Sequence, residues 1–367
     1  MIFATIFQNF EKVHLTKDVG MIPAAFGSAS GCLVYLIYWD RTGKKINHDY
    51  GDNFVLTPLS AKSKYGFMFR AFIFSIKNRV TIVHLFHLKR ETYLLAFFFK
   101  VFGKKIYLKM DMDSTRFPKL KQLLSKKSSL KSILLRGLLR LPNVISTESK
   151  QFFNVLREFD FLNDRVIYFP NSLYTPTVSC APLPWEARVN RILVVGRIGD
   201  YQKNNEMLLE ALKRLHSTNG WEIFLIGPIT SDFSNSLLSF YRDKPLMKDS
   251  VKYVGVLDRK SLFDYYSNSK IMLVTSRWEI LSLAMVESSY MGMALLTTNV
   301  DGSDILTKNG ELGEIIDNDS TEQLKSALLK IFDTSYFYDD FFNERINFFR
   351  SEFCLDKNIN QLIKKLR

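Results

Sequence analysis

The chain has 367 residues, 47% of them hydrophobic and 24% charged, with three cysteines and a formal net charge of +13. That length suits two domains that each bury their own core, and the composition excludes a disordered chain. The scattered Cys32, Cys180 and Cys354 form neither a disulfide framework nor a zinc-ligand spacing, which points to a reducing compartment.

The N-terminal run Met1-Ile-Phe-Ala-Thr-Ile-Phe lacks a basic leader and a cleavage site, so it reads as the start of a strand over residues 2–10 and not as a signal peptide. A loop holding Gly20, a helix over 22–28 and a strand over 32–39 follow, and strands over 81–86 and 105–109 continue the rhythm. His84 and His87 are three positions apart on a strand, which sends them to opposite faces and prevents one strand-borne metal site. The longest apolar stretch, 92–102, is interrupted by Lys100 and is far shorter than the roughly 20 residues that cross a bilayer. Its Phe97-Phe98-Phe99, like Phe152-Phe153, reads as core.

Charge is lopsided: residues 1–172 hold 27 Lys+Arg against 12 Asp+Glu, and the remainder holds 23 against 25. Residues 100–140 alone carry twelve cations, among them Lys104, Lys105, Lys119, Lys121, Lys126, Lys127 and Lys131, against Asp111 and Asp113. Such a field suits an anionic partner. Residues 120–141 read either as a basic amphipathic helix on an anionic membrane surface or as a core-facing helix with a solvated side. Asp111-Met112-Asp113 follows a strand and fits a pair of loop acids, a cleft-facing pair in which Asp113 touches a ligand or, more weakly, a metal-binding DxD pattern.

Residues 171–184 hold three prolines and read as a linker. Beyond it, strands over 191–196, 221–227, Val251–Gly255, 270–275 and 293–298 alternate with helices over 205–216, 234–241, 259–267, 282–291 and Thr321–Phe332. Apolar runs of this length separated by helices mean a parallel sheet. The expected organisation is therefore α/β with two doubly wound, Rossmann-like domains facing a central cleft. Residues 1–172 form the first domain, 173–190 the linker, 191–340 the second domain, and 341–367 a C-terminal helix packing back across the linker.

Ligands of open α/β sheets sit at the carboxyl ends of strands, so the loops there carry the chemistry. After one strand comes Gly196-Arg197-Ile-Gly199-Asp200-Tyr-Gln-Lys203-Asn204, with glycines for close backbone approach and two cations able to neutralise a diphosphate. After another comes Ser276-Arg-Trp-Glu279-Ile-Leu281-Ser282, opening a helix that carries Glu287. That helix N-terminus suits a phosphate, and the two oxygens of a carboxylate suit the two hydroxyls of a ribose. Taken singly, the cations read equally well as solvated loop charges and Glu279 as a helix-capping acid.

Together, Gly196-Arg197, Lys203-Asn204, Leu208-Leu-Glu-Ala-Leu, Phe224-Leu-Ile-Gly227, Val254-Gly255, Ser276-Arg-Trp-Glu279, Val286-Glu287 and Met291-Gly292 resemble glycosyltransferase family 4, of the GT-B fold, over residues 191–333. The resemblance implies a retaining, metal-independent transferase whose nucleotide-sugar is a substrate, with no cofactor. It implies that Arg197 and Lys203 stabilise the leaving diphosphate and Glu279 holds the donor sugar. Glu287 would hold the ribose, and backbone N–H groups near Leu281 and Ser282 would hold phosphate. Gly20 is expected to touch donor or acceptor. Two departures are visible: Ile280-Leu281-Ser282 stands where the family places a small residue, and Lys17–Pro23 lacks the family's paired glycines.

The implied acceptor is a glycan or a polyprenyl-diphosphate-linked glycan in cell-surface polysaccharide assembly. The implied location is cytoplasmic and peripheral on the inner face of the membrane. The alternatives are an epimerase or hydrolase of the same fold, and a basic nucleic-acid binder, which the Phe-rich runs and missing recognition motifs disfavour.

Overall fold

A computed structural model describes residues 1–87, 89–114, 116–126, 129–333 and 341–367, which divide into two compact units, 1–174 with 354–367, and 175–353. Lys127 of the basic segment and the end of the expected second domain at 340 lie outside the described residues.

In the first unit the order is β1 (Ile2–Phe7), α1 (Asp18–Ser30), β2 (Leu33–Asp40), β3 (Phe54–Ser60), α2 (Lys64–Lys77), β4 (Ile82–Phe86), α3 (Arg90–Val101), β5 (Lys105–Met110), α4 (Phe117–Ser125), α5 (Leu130–Leu139), β6 (Val144–Thr147), α6 (Lys150–Arg157) and β7 (Val166–Tyr168). The strands pair in parallel in the order β3-β2-β1-β4-β5-β6-β7. Both faces are covered, which is why β4 is buried along its whole length and apolar except for His84. β3 was missed in the sequence because Pro58 and a polar end mask it; it is an edge strand, where a missing N–H costs no ladder bond.

Gly20 is not in a loop. It lies in the first turn of α1, and a Cβ there would meet the Leu15 carbonyl oxygen at 2.2 Å, so its smallness serves packing against the 3-10 turn Lys12–Thr16. The helix expected over 120–141 is two helices, α4 and α5, and Leu120, Leu124 and Leu139 face the core. Of the phenylalanines read as core, Phe99 is buried, while Phe97 and Phe98 are exposed, because one turn of helix cannot aim three consecutive side chains at one side.

The second unit runs β8 (Val189–Val195), α7 (Glu206–Lys213), β9 (Glu222–Ile226), α8 (Ser231–Asp243), β10 (Val251–Gly255), α9 (Arg259–Asn268), β11 (Ser269–Val274), α10 (Leu283–Tyr290), β12 (Ala294–Thr298), α11 (Ser303–Leu306), β13 (Gly313–Ile316), α12 (Thr321–Phe332) and α13 (Phe342–Glu352). Its parallel sheet has the order β10-β9-β8-β11-β12-β13. Strand order therefore reverses between β8 and β11, as it does between β1 and β4 in the first unit, the doubly wound arrangement expected from the sequence.

The expected linker is not loose chain: Trp185 is buried in the core of the second unit, and Arg188 donates to the carbonyls of Leu183, Ser269 and Met291. Burial, with Arg345 nearby, brings the Arg188 guanidinium down to about 10. Residues 341–367 form two helices instead of one. α13 packs on α10 in the second unit, and α14 (Leu355–Leu366) packs on α1 in the first. Among the described residues no helix is long and apolar enough to cross a membrane.

Candidate functional site

The reversal of strand order opens a crevice where the loops after β8 and β11 diverge, and both loops singled out in the sequence lie there. They border a recess of about 280 Å³ lined by Gly196, Arg197, Lys203, Thr275, Ser276 and Ser282, among others. The backbone has to come close to form it. A Cβ on Gly199, at φ 79°, would stand 2.3 Å from Phe233 Cβ, and one on Gly227 would stand 1.9 Å from the Gly196 carbonyl oxygen.

Lys203 and Glu279, 76 positions apart, meet there with Nζ 2.5 Å from Oε1. Ser276 Oγ donates to the same carboxylate oxygen at 2.7 Å, so Glu279 is held from two sides and its side chain is only 8% exposed. Two threonine hydroxyls fasten the loops beneath it: Thr275 donates to the Lys203 carbonyl at 2.8 Å and Thr298 to that of Ser276 at 2.6 Å. Asn204, in the left-handed region at φ 49°, donates to Asp319, and Asn205 accepts from the Gly199 N–H. The loop after β8 is thus fixed by side chains from two other segments, 275–279 and the turn holding Asp319.

Arg197 is not drawn into this pair. Its side chain is 59% exposed and donates to Gln202 at 2.8 Å, with Asp200 at 3.5 Å. Ser282 stands at the N-cap position of α10, without a side-chain capping bond, and borders the recess, whereas the Leu281 side chain is buried against Gly302, whose missing Cβ leaves it room. The first turn of α10 carries no acid, so the positive end of the helix dipole there has no side-chain anion of its own.

Glu287 is buried in α10, and its Oε1 accepts from Arg259 Nη1 at 2.8 Å. Arg259 is itself anchored on Thr177, through the carbonyl at 3.2 Å and the hydroxyl at 3.0 Å. Burial raises the Glu287 carboxyl above its ordinary value, with Arg259 and the Tyr266 hydroxyl working the other way. Arg259 was missed in the sequence. The available signal was a cation in the first turn of a helix, where the dipole disfavours it and some other partner must account for it.

Gly20 belongs to the first unit and to its packing. At the carboxyl edge of that unit's sheet a second ion cluster forms, also unforeseen. Lys109, 1% exposed, lies 3.2 Å from both Asp18 and Asp111 and pairs with Glu148. The three carboxylates come close enough to one another to hold a cation, and the Lys109 ammonium supplies one. Burial opposes that charge, but Asp111, Glu148 and Asp18 overrule it and hold Lys109 well above its ordinary value. Burial and then Asp111 push Glu148 well up, against the pull of Lys109. Asp113, the other acid of the DxD run, pairs with Arg116 at 3.4 Å. His84 is fully buried on β4 with Nδ1 3.1 Å from Thr5 Oγ1, and burial, helped by Lys109, holds it well below its ordinary value. His87 stands past the end of β4 at φ 60°, 3.9 Å from Asp111.

Residues 189–334 match the family described as "Glycosyl transferases group 1". The amylovoran biosynthesis glycosyltransferase AmsD of Erwinia amylovora is 32% identical over 99 residues, 27% of this chain and 26% of that protein. The matched stretches cover no more than 32% of the length of the curated relatives. Among solved structures, sucrose-phosphate synthase from Thermosynechococcus elongatus superposes with a TM-score of 0.76 at 15% identity, over 100% of this chain and 98% of that one. HepE of Anabaena, solved in complex with UDP, superposes at 0.70 and 11% identity, over 100% and 99%. At such identities the likeness is one of fold, and the fold is GT-B.

Proposed function

We propose, because residues 189–334 match the group 1 glycosyl transferases, that the protein moves a sugar from a nucleotide-sugar donor, bound by the second unit, to a glycan or polyprenyl-diphosphate-linked acceptor. The observation that carries this reading is the Lys203–Glu279 pair in the crevice between β8 and β11, beside the N-terminus of α10, whose first turn carries no acid.

In this reading the donor diphosphate takes the positive end of α10, through backbone N–H groups near Leu281 and Ser282, and draws the Lys203 ammonium from Glu279 to itself. Arg197, exposed on its loop, turns to the same diphosphate. Negative charge grows on that group as the glycosidic bond breaks, so fixed cations there act mainly on turnover. Glu279, released from Lys203 but still held by Ser276, accepts from hydroxyls of the donor sugar. Glu287, oriented by Arg259, accepts from the ribose. The cations already present take the part a metal would play, and transfer proceeds with retention.

The UDP complex of HepE, a protein of the same fold, supports a nucleoside diphosphate as part of the ligand. AmsD supports a role in polysaccharide assembly. A peripheral place on an anionic, cytoplasmic membrane face belongs to the same reading.

The test is thermal unfolding of the purified chain against a panel of nucleotide-sugars and nucleoside diphosphates, since a ligand at about 100 times its Kd adds about 2.7 kcal/mol. One donor class should raise the transition, and turnover of that donor should require an acceptor. A panel with no stabilising member refutes the reading, and sugar release without an acceptor replaces it with hydrolysis or epimerisation.

A further inference from the structure

The first unit leaves apolar surface uncovered in a regular pattern. On α3, Leu94, Phe97, Phe98 and Val101 stand at i, i+3, i+4 and i+7 and are all exposed, Phe97 by 52% and Phe98 by 49%. The opposite face of the same helix, Leu95, Ala96 and Phe99, enters the core. On α5, Leu130, Ile133 and Leu134 repeat the arrangement, Leu130 being 81% exposed, while Ser132 and Leu139 are buried. β4, β5 and β6 are neighbours in that order, so right-handed crossovers put α3 and α5 on one face of the sheet. Lys100 at the end of α3 reaches Asn143, just past α5, at 3.3 Å. Single exposed apolar residues are ordinary, but two helical stripes on one face are not.

Charge decides what covers them. Residues 89–140 hold fourteen cations and three acids. Each of the three acids already has a partner: Glu91 pairs with Lys64, Asp111 with Lys109 and Asp113 with Arg116. Lys89, Arg90, Lys100, Lys126, Lys131 and Arg140 are exposed at the ends and flanks of the two helices. A second copy of this chain would bring two such cationic rims together. A bilayer leaflet rich in anionic phospholipid offers both an apolar interior for the stripes and negative headgroups for the rim.

We infer that the α3–α5 face is a membrane-docking surface, with Leu94, Phe97, Phe98, Val101, Leu130 and Ile133 entering the headgroup–acyl boundary of an anionic leaflet. The inference deepens the proposed use of a lipid-linked acceptor and takes its biological sense from it, but it is measured without turnover, so the two can fail separately.

The experiment is sedimentation of the full chain with vesicles of phosphatidylcholine, with and without phosphatidylglycerol. The chain should partition onto the phosphatidylglycerol vesicles alone and leave them as salt rises. Phe97→Ser with Phe98→Ser should lower the partition more than about tenfold. Lys131→Glu with Arg140→Glu should lower it several-fold for each charge reversed. Should the phenylalanine pair unfold the chain, the single Phe97→Ser and the charge pair carry the test. Equal binding to neutral vesicles, no sedimentation, or variants that bind as the wild type overturn the inference. So does a lower self-associated mass of the Phe97→Ser, Phe98→Ser variant without vesicles, which would assign the face to a second copy, or displacement of vesicle-free chain onto DNA through the same residues.

Discussion

Lys203→Met should separate the stability of the Lys203–Glu279 pair from its chemistry. Removing one member of a buried ion pair costs roughly 3–5 kcal/mol. Here the Lys203 side chain is 18% exposed, and Ser276 still donates to the stranded Glu279 carboxylate. The expected loss is therefore smaller, about 2 kcal/mol. For a unit of this size about 2–4 °C accompanies each kcal/mol, which gives a drop of about 4–8 °C in its unfolding temperature. Turnover should fall by about 10²–10³, as when a fixed charge is withdrawn from a leaving group. Lys203→Met combined with Glu279→Gln removes both charges and keeps the bond to Ser276, so it should recover most of the stability and none of the turnover. Calorimetry and initial rates on the three proteins check this. A single variant as stable as the wild type, or a double variant that regains turnover, would refute the reasoning.

Arg259→Ala should raise the KM for the donor about tenfold while leaving kcat within a few-fold, because Arg259 orients Glu287 and does not meet the diphosphate. Glu287 must be ionised to accept from a ribose, so donor affinity weakens as pH falls through its raised value. Without Arg259 that value rises further, and the weakening should begin at a higher pH. Donor titrations at several pH values check both statements, and a shift to lower pH contradicts the second.

Glu148→Gln probes the cluster around Lys109. Folded Glu148 keeps its proton where the unfolded chain has lost it, so its contribution to stability falls as pH rises from the ordinary glutamate value toward the raised one. Glutamine has no proton to lose. The variant should therefore gain on the wild type across that window, measured by urea unfolding from acid to neutral pH. A difference that does not change with pH speaks against a protonated Glu148.

Much of the fold was legible because buried parallel strands read as short apolar runs: β8, β9, β10, β11 and β12 were each found within a residue or two. β3, β6, β7 and β13 were not, the first because it carries a proline and the others because they span only three or four residues. The break between α4 and α5 was also missed, since leucines at helical spacing continue on both sides of it.

Sequence by itself determined which residue types the loops after β8 and β11 hold: Arg197, Lys203, Glu279 and Ser282 stand between a strand end and the next helix, and Glu287 lies within α10. That much is local, because hydrophobic period and turn residues are written in consecutive positions. Partnership was decided only in three dimensions. The order β10-β9-β8-β11-β12-β13 puts the loops after β8 and β11 beside each other, and so brings together Lys203 and Glu279 across 76 positions. Packing between α9 and α10 brings Arg259 to Glu287 across 28, and convergent strand ends sink Lys109 among Asp18, Asp111 and Glu148. Which face of α3 would meet the core and which would remain bare was likewise settled by the sheet beneath it, since both faces of that helix carry large apolar side chains.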